Sequence, residues 1–239
     1  MISFCTTCMN RTCHLARTLP INLVNTRDCD VEFVVLNYGS RDDLDHFMGM
    51  FYHLIMTSRV RYFKTQQDVF RMSHAKNVVH KLGDGDILCN LDADCIIDEN
   101  FVKEVKERVL GSVVRGWYGG LIAIEKKNFM ELRGYDERFR GWGREDDDFV
   151  NRAGRLGLEF VRLNRDVYKQ IKHKPDDSNL DMKAEESIPL NSELMHNNTK
   201  LGIITVNQVS FGECMIESGK VELTKPNSMV RRAVSRFSK

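Results

Sequence analysis

The chain has 239 residues, a formal net charge of +1, 42% hydrophobic and 29% charged residues. That length suits one large domain, or one domain with a tail, and is enough to bury a sizeable core. The near-neutral balance excludes a global field drawing the chain to nucleic acid or acidic membranes, and no run of about 18 apolar residues offers a membrane span. The first residues, MISFCTTCMNR, lack the basic start, long apolar segment and small-residue cleavage site of a signal peptide. A cytoplasmic chain beginning on a strand is expected.

Residues 2–5 (ISFC) open a short apolar strand. Leu15, Leu19 and Leu23 then recur at helical spacing before the apolar run VEFVVLN, which gives way to a polar turn by residue 43. Strand, helix, strand begins a βαβ unit and with it a parallel sheet. The alternation continues with a helix over 44–55, a strand over 60–64, and a helix over 73–82 that carries Ala75, Val78, Val79 and Leu82 on one face. An apolar strand interrupted by acids is predicted over 86–97. Phe101, Val105 and Val109 mark an amphipathic helix, GGLIAIEKKNFMEL reads as strand into helix, and 159–164 as a further strand. From about Lys174 to Lys200 the composition turns polar and predicts a long loop, after which 202–211 (GIITVNQVSF) is β-rich. The last residues, SMVRRAVSRFSK, are basic: a solvated end, or a point of attachment to an anionic membrane or to nucleic acid. These readings give an α/β fold, with one domain over 1–211 and a C-terminal extension over 212–239.

Seven cysteines are scattered through the chain. Cys5 and Cys8 form a C-x-x-C with Cys13 and His14 close behind, but a second ligand pair at finger-like spacing is missing. Buried reduced thiols are the reading, not a zinc site.

Two acidic segments carry the chemistry. NLDADC (90–95) puts Asp92 and Asp94 at i, i+2, on one side of a strand. They follow an apolar run, and ligands of open α/β sheets sit outside the carboxyl ends of strands. Two carboxylates there repel unless a cation bridges them or water solvates them. The second segment, GWGREDDDF (141–149), opens a helix predicted from about Glu145 to Leu156. Its apolar positions, Phe149, Val150, Ala153 and Leu156, define an inward face that also takes Glu145 and Asp146. Asp147 and Asp148 fall on solvent positions, with an Asp148–Arg152 ion pair. Acids in a first turn are favoured by the helix dipole, by about 0.3–1 kcal/mol each, which accounts for the outer pair. An inward charge needs a partner or a wet cleft. Two carboxylates beside a tryptophan flanked by glycines suit a polyhydroxylated ligand.

With CMNRTCHL (8–15), FRMSHAKN (70–77), NLDADC (90–95), YGGLIAIEKKNF (118–129) and GYDERFRGWGREDDDFVNR (134–152), the chain resembles the GT-A glycosyltransferases. The likeness is to the β-1,4-galactosyltransferase family and its bacterial polysaccharide-polymerase relatives, and it runs to about residue 210. It implies a GT-A fold, a Rossmann-like, mostly parallel sheet flanked by helices. It also implies a metal-dependent, inverting transfer of a hexose or N-acetylhexosamine from a UDP-sugar to an acceptor hydroxyl. By resemblance Asp146 is the catalytic base, while Glu145, Tyr118, Gly119 and Gly120 bind the acceptor. Arg11, Arg71, Lys76, Asp92 and Trp142 border the donor, and the turn from Asn37 to Asp43 faces the base. Asp94 and His173 hold the metal, Mn²⁺ or else Mg²⁺. Arg144 stands where the resemblance expects glycine. The acceptor is a glycan or another hydroxyl compound, and a bacterial or viral enzyme is expected in preference to one of the Golgi lumen. Two other readings stay open: a catalytically silent sugar-binding module and a nucleotidyltransferase.

Overall fold

The computed structural model describes residues 1–117, 120–172 and 178–218. β1 (Ile2–Cys8), α1 (Thr12–Asn25) and β2 (Val31–Asn37) form the expected βαβ unit. β1 continues past the apolar ISFC because β2 supplies parallel partners as far as Cys8↔Asn37. The region expected as one helix is two short ones, α2 (Leu44–Gly49) and α3 (Tyr52–Met56), and β3 (Val60–Lys64) then joins β2 in parallel. α4 (Met72–Leu82) buries the face bearing Ala75, Val78 and Val79.

The apolar stretch over 86–97 is not one strand. β4 (Ile87–Asn90) lies beside β1 in the main sheet, whereas β5 (Cys95–Ile97) leaves it. α5 (Glu99–Arg108) starts at Asp98, whose side chain accepts the Phe101 amide at 3.0 Å. β6 (Ser112–Arg115), β7 (Ile122–Glu125), α6 (Lys126–Leu132), α7 (Glu145–Arg155) and β8 (Glu159–Arg162) follow. β9 (Tyr168–Gln170) pairs antiparallel with β5 as a separate two-stranded sheet. α8 (Ala184–Lys200) and β10 (Glu217–Ser218) complete the described elements.

The main sheet has eight strands in the order β10-β3-β2-β1-β4-β7-β6-β8. β7 runs against β4 and β6, and β10 against β3; the other pairings are parallel. Alternating side chains feed two cores. Phe4, Phe33 and Val35 meet Leu15, Leu19, Phe101 and Val105 on one face, and Cys5, Val34 and Leu36 meet Val78, Val79, Phe129 and Phe149 on the other. Each such fully buried side chain contributes roughly 1.5–3 kcal/mol. With both faces covered, polar ligand groups must gather at the strand ends, and β1, β2 and β4 all end on the same side.

Two expectations are overturned. The polar stretch from Lys174 is not all loop, since it holds the 17-residue helix α8. The buried positions of α8 are Ser187, Asn191 and Asn198, while Ile188 and Leu190 lie exposed, so apolar periodicity gives no helical signal. The segment 202–211 is irregular, not β. Arginine side chains take its carbonyls in place of a ladder: Arg155 Nε donates to Ile203 O at 2.8 Å and Arg133 Nε to Asn207 O at 2.9 Å.

Candidate active site

β4 ends at Asn90, and the chain turns through Leu91–Asp94 before β5 departs. Asp92 and Asp94 therefore sit on a turn, not on one side of a strand. The turn is held from within. Asn90 Nδ2 donates to Asp92 Oδ1 and to Gly120 O, each at 2.9 Å, and the Gly120 amide donates to Asp92 Oδ2 at 2.9 Å. Gln170 on β9 donates to Asp94 Oδ2 at 3.0 Å. Ligand atoms of Asp92, Asp94 and Cys95 lie within 4.8 Å of one another. Burial raises Asp92, and the charges of Asp94 and Asp146 add to that against Lys76 and the Gly120 amide.

A divalent cation fits this turn. Two carboxylates converge there, and burial with the neighbouring charge of Asp94 pushes Asp92 up despite Lys76. The oxygen donors suit Mn²⁺ or Mg²⁺. Burial also holds the Cys95 thiol well above its ordinary range, so it stays protonated and is a poor ligand.

α7 supplies the opposite wall. Glu145 is 5% exposed, and its Oε1 lies 3.0 Å from Lys76 Nζ. The same ammonium donates to Asp146 Oδ1 at 2.6 Å and lies 4.9 Å from the centre of the Tyr135 ring. Burial works against the charged lysine, yet Asp146 and Glu145 outweigh it and hold Lys76 well above its usual range. Burial, reinforced by Asp146, raises Glu145 despite Lys76. The sequence places Lys76 beside the donor; in the fold it is the counter-ion of the two inward acids.

The outer acids divide differently from expectation. Asp147 is half-exposed and pairs with Arg115 Nη1 at 2.6 Å and Arg144 Nη1 at 3.3 Å. Asp148 is not a solvent position: it and Arg152 are both fully buried, with Arg152 Nε donating at 2.7 Å. The pair forms as predicted, but inside the molecule. Asn198 of α8 donates to Asp148 Oδ1 at 2.9 Å, and Arg152 Nη2 donates to Gly134 O at 2.8 Å. A buried pair demands such added hydrogen bonds.

Both walls open onto one cavity of about 540 Å³, lined by Arg11, Lys76, Asp92, Asp94, Gly120, Trp142, Glu145 and Asp146. That volume lies within the roughly 300–1,000 Å³ of small-molecule sites. A Cβ on Gly120 would sit 2.9 Å from Asp146 Oδ2 and 3.0 Å from Lys76 Nζ, so a larger residue there would displace these charged ends. Trp142 is 46% exposed. Arg71 is exposed at the start of α4 and is not part of the lining. Tyr118, Gly119 and His173 lie outside the described residues, as does the basic tail from residue 219. His14, Arg115, Gln170 and Asn179 line the cavity without having been singled out for it. Gln170 sits on a strand with no alternating apolar signal, and His14 reads from sequence only as a neighbour of the cysteines.

Residues 106–174, from within α5 through the Trp142 loop and α7, match the family model described as the N-terminal domain of galactosyltransferase. Human β-1,4-galactosyltransferase 2 is 35% identical over 68 residues, which is 27% of this chain and 18% of that protein. Bovine β-1,4-galactosyltransferase 1 is 35% identical over 65 residues, 26% of this chain and 16% of that protein. The matches thus span less than a fifth of these relatives' length.

Among solved structures, Staphylococcus aureus TarS in complex with UDP superposes with a TM-score of 0.58 at 13% identity, over 83% of this chain and 72% of that one. The catalytic domain of Drosophila β-1,4-galactosyltransferase 7 with xylobiose gives 0.57 at 14%, over 80% and 79%. The mannosyltransferase PcManGT from Pyrobaculum calidifontis, with GDP-Man and Mn²⁺, gives 0.56 at 15%, over 74% and 58%. The molecule has the GT-A glycosyltransferase fold. Over about a quarter of its length the chain is similar to β-1,4-galactosyltransferases, at 35% identity. No helix among the described residues is long and apolar enough to cross a membrane.

Proposed function

We propose that the protein is a metal-dependent, inverting glycosyltransferase that moves a hexose or N-acetylhexosamine from a UDP-sugar to an acceptor hydroxyl. The observation that carries this reading is the shared cavity. The Asp92–Asp94 turn and the first turn of α7 face one space of small-molecule size. Asp94 and His173, with Asp92 beside them, would hold Mn²⁺ or Mg²⁺, and the ion would supply positive charge against the diphosphate of the leaving group. Arg11 adds charge on the same side. A second recess of about 480 Å³, at the ends of β2 and β3 and lined by Asn37, Ser40, Lys64 and Gln67, suits the base. By the same resemblance Tyr118, Gly119, Gly120 and Glu145 bind the acceptor.

Asp146 is the base. Lys76 occupies its Oδ1, and its Oδ2 lies towards Gly120 and the acceptor wall. This carboxylate takes the proton from the acceptor hydroxyl as that oxygen bonds to the anomeric carbon. The bond from that carbon to the diphosphate breaks on the opposite face, and UDP leaves with the electron pair. Trp142 covers the donor and limits hydrolysis.

The test is a screen of UDP-sugars with Mn²⁺ and candidate acceptors, reading UDP release and product. Asp146→Asn is expected to lower transfer by about 10²–10⁴-fold with UDP binding retained. Near-normal transfer in that variant overturns the assignment of the base. Saturable sugar binding without UDP release means a silent module, and pyrophosphate release means a nucleotidyltransferase.

A further inference from the structure

The Trp142 loop has an unusual support. Its backbone turns through left-handed values at Gly141 (φ 57°), Gly143 (φ 93°) and Arg144 (φ 76°). That region costs a residue with a Cβ roughly 1–2 kcal/mol, so Arg144 does not sit there by local preference. Side chains of α8 and of Asp181 hold the path. Ser187 Oγ accepts the Trp142 amide at 2.9 Å and lies 3.1 Å from the Trp142 carbonyl. Asn191 Nδ2 faces three carbonyls: Arg140 and Gly143 at 2.8 Å, and Trp142 at 3.2 Å. Asn191 Oδ1 accepts the Arg140 amide at 3.2 Å, and Asp181 Oδ1 accepts the Gly141 amide at 2.9 Å.

Ser187 is 0% and Asn191 3% exposed, so these bonds are shielded from water. The fit is close, since a Cβ on Gly141 would lie 2.6 Å from Met182 O and 2.7 Å from Ser187 Cβ. The Trp142 indole, by contrast, is half-exposed at the cavity. Its position comes from its own backbone, and that backbone is bound by α8.

We infer that Ser187 and Asn191 are positioning residues that seat Trp142 over the cavity. One turn of α8 apart, they present a hydroxyl and an amide on one face and read the loop's carbonyls and amide as a template reads a strand edge. The third buried position of the same face, Asn198, contacts Asp136 and Asp148 instead, so the loop-holding function belongs to the first half of the helix. What the indole meets there, a sugar nucleotide, rests on the glycosyltransferase reading; the seating itself does not.

The experiment uses the full chain with Trp117→Phe, which leaves Trp142 as the single tryptophan. Acrylamide quenching of Trp142 emission is compared among this background, Ser187→Ala/Asn191→Ala, Ser187→Thr and Asn198→Ala. Loss of the seat is expected to raise the quenching constant of the double variant about twofold and its KM for the UDP-sugar about tenfold, with kcat changed less. Ser187→Thr, which keeps the hydroxyl, should show quenching close to the background, whereas Ser187→Ala alone should not. Asn198→Ala should lower the melting temperature and leave quenching as in the background. A folded double variant with unchanged quenching overturns the proposal; if the double variant does not fold, unchanged quenching in Ser187→Ala and Asn191→Ser does the same. A chain with no UDP-sugar turnover defeats the proposed function but leaves the quenching result to judge the seating.

Discussion

His80 is fully buried on α4, stacked 4.9 Å from Phe129, with Nδ1 2.6 Å from Lys76 O. Burial pushes its pKa from 6.5 down to about 3, and the nearby Lys76 ammonium adds to the fall. The folded state therefore keeps this ring neutral, donating from Nδ1 to the carbonyl. A pKa depressed on folding contributes stability that is complete above about pH 6.5 and is lost as pH falls towards 3, because only the unfolded chain then takes up the proton. By pH 5 the loss is roughly 2 kcal/mol. His80→Gln should show a flatter fall in melting temperature between pH 6.5 and 4; parallel curves would contradict this assignment. The same residue scale explains Lys76. Its position near the donor motifs is legible in sequence, but its partners lie about seventy residues further on, so its role as counter-ion to Glu145 and Asp146 is not.

At the scale of elements, α7 links the Glu145–Asp146 wall of the cavity to the rest of the fold through Arg152. Its guanidinium reaches Asp148, Gly134 O and, at 3.3–3.4 Å, Leu132 O and Ile204 O. Arg152→Met leaves Asp148 buried without its cation. Destabilisation of about 3–5 kcal/mol is expected, measurable by urea unfolding, and a loss below 1 kcal/mol would mean that water enters the site. The ion pair was readable from its i, i+4 spacing, but its burial was not, because α7's inward face extends under the irregular 202–211 segment. α8 was missed for a related reason. Its hidden face is polar since it bonds the Trp142 loop and the Asp136–Asp148 network, and a helix that buries hydrogen-bonding groups leaves no apolar stripe to count.

For the whole molecule, a ligand that binds only the folded chain raises its stability by RT ln(1 + [L]/Kd), about 2.7 kcal/mol at a hundredfold excess over Kd. UDP with Mn²⁺ should therefore raise the melting temperature by about 5–10 °C. Asp94→Ala, or EDTA with the wild-type chain, should remove most of that shift. An undiminished shift in EDTA would reject the metal site on the Asp92–Asp94 turn.

The amino-acid order by itself determined the opening strand–helix–strand unit with its parallel pairing, and the inward turn of Glu145 and Asp146. Each depends on contacts within a few residues or on a simple period of apolar side chains. Tertiary structure alone decided which charges are buried, which ones distant in the chain pair, and which loops are held. The split of 86–97 into two sheets needed β9, Lys76 needed α7, and the path of the Trp142 loop needed Ser187 and Asn191. In each case a polar group meets its partner across a long stretch of chain, and burial then makes that pairing obligatory.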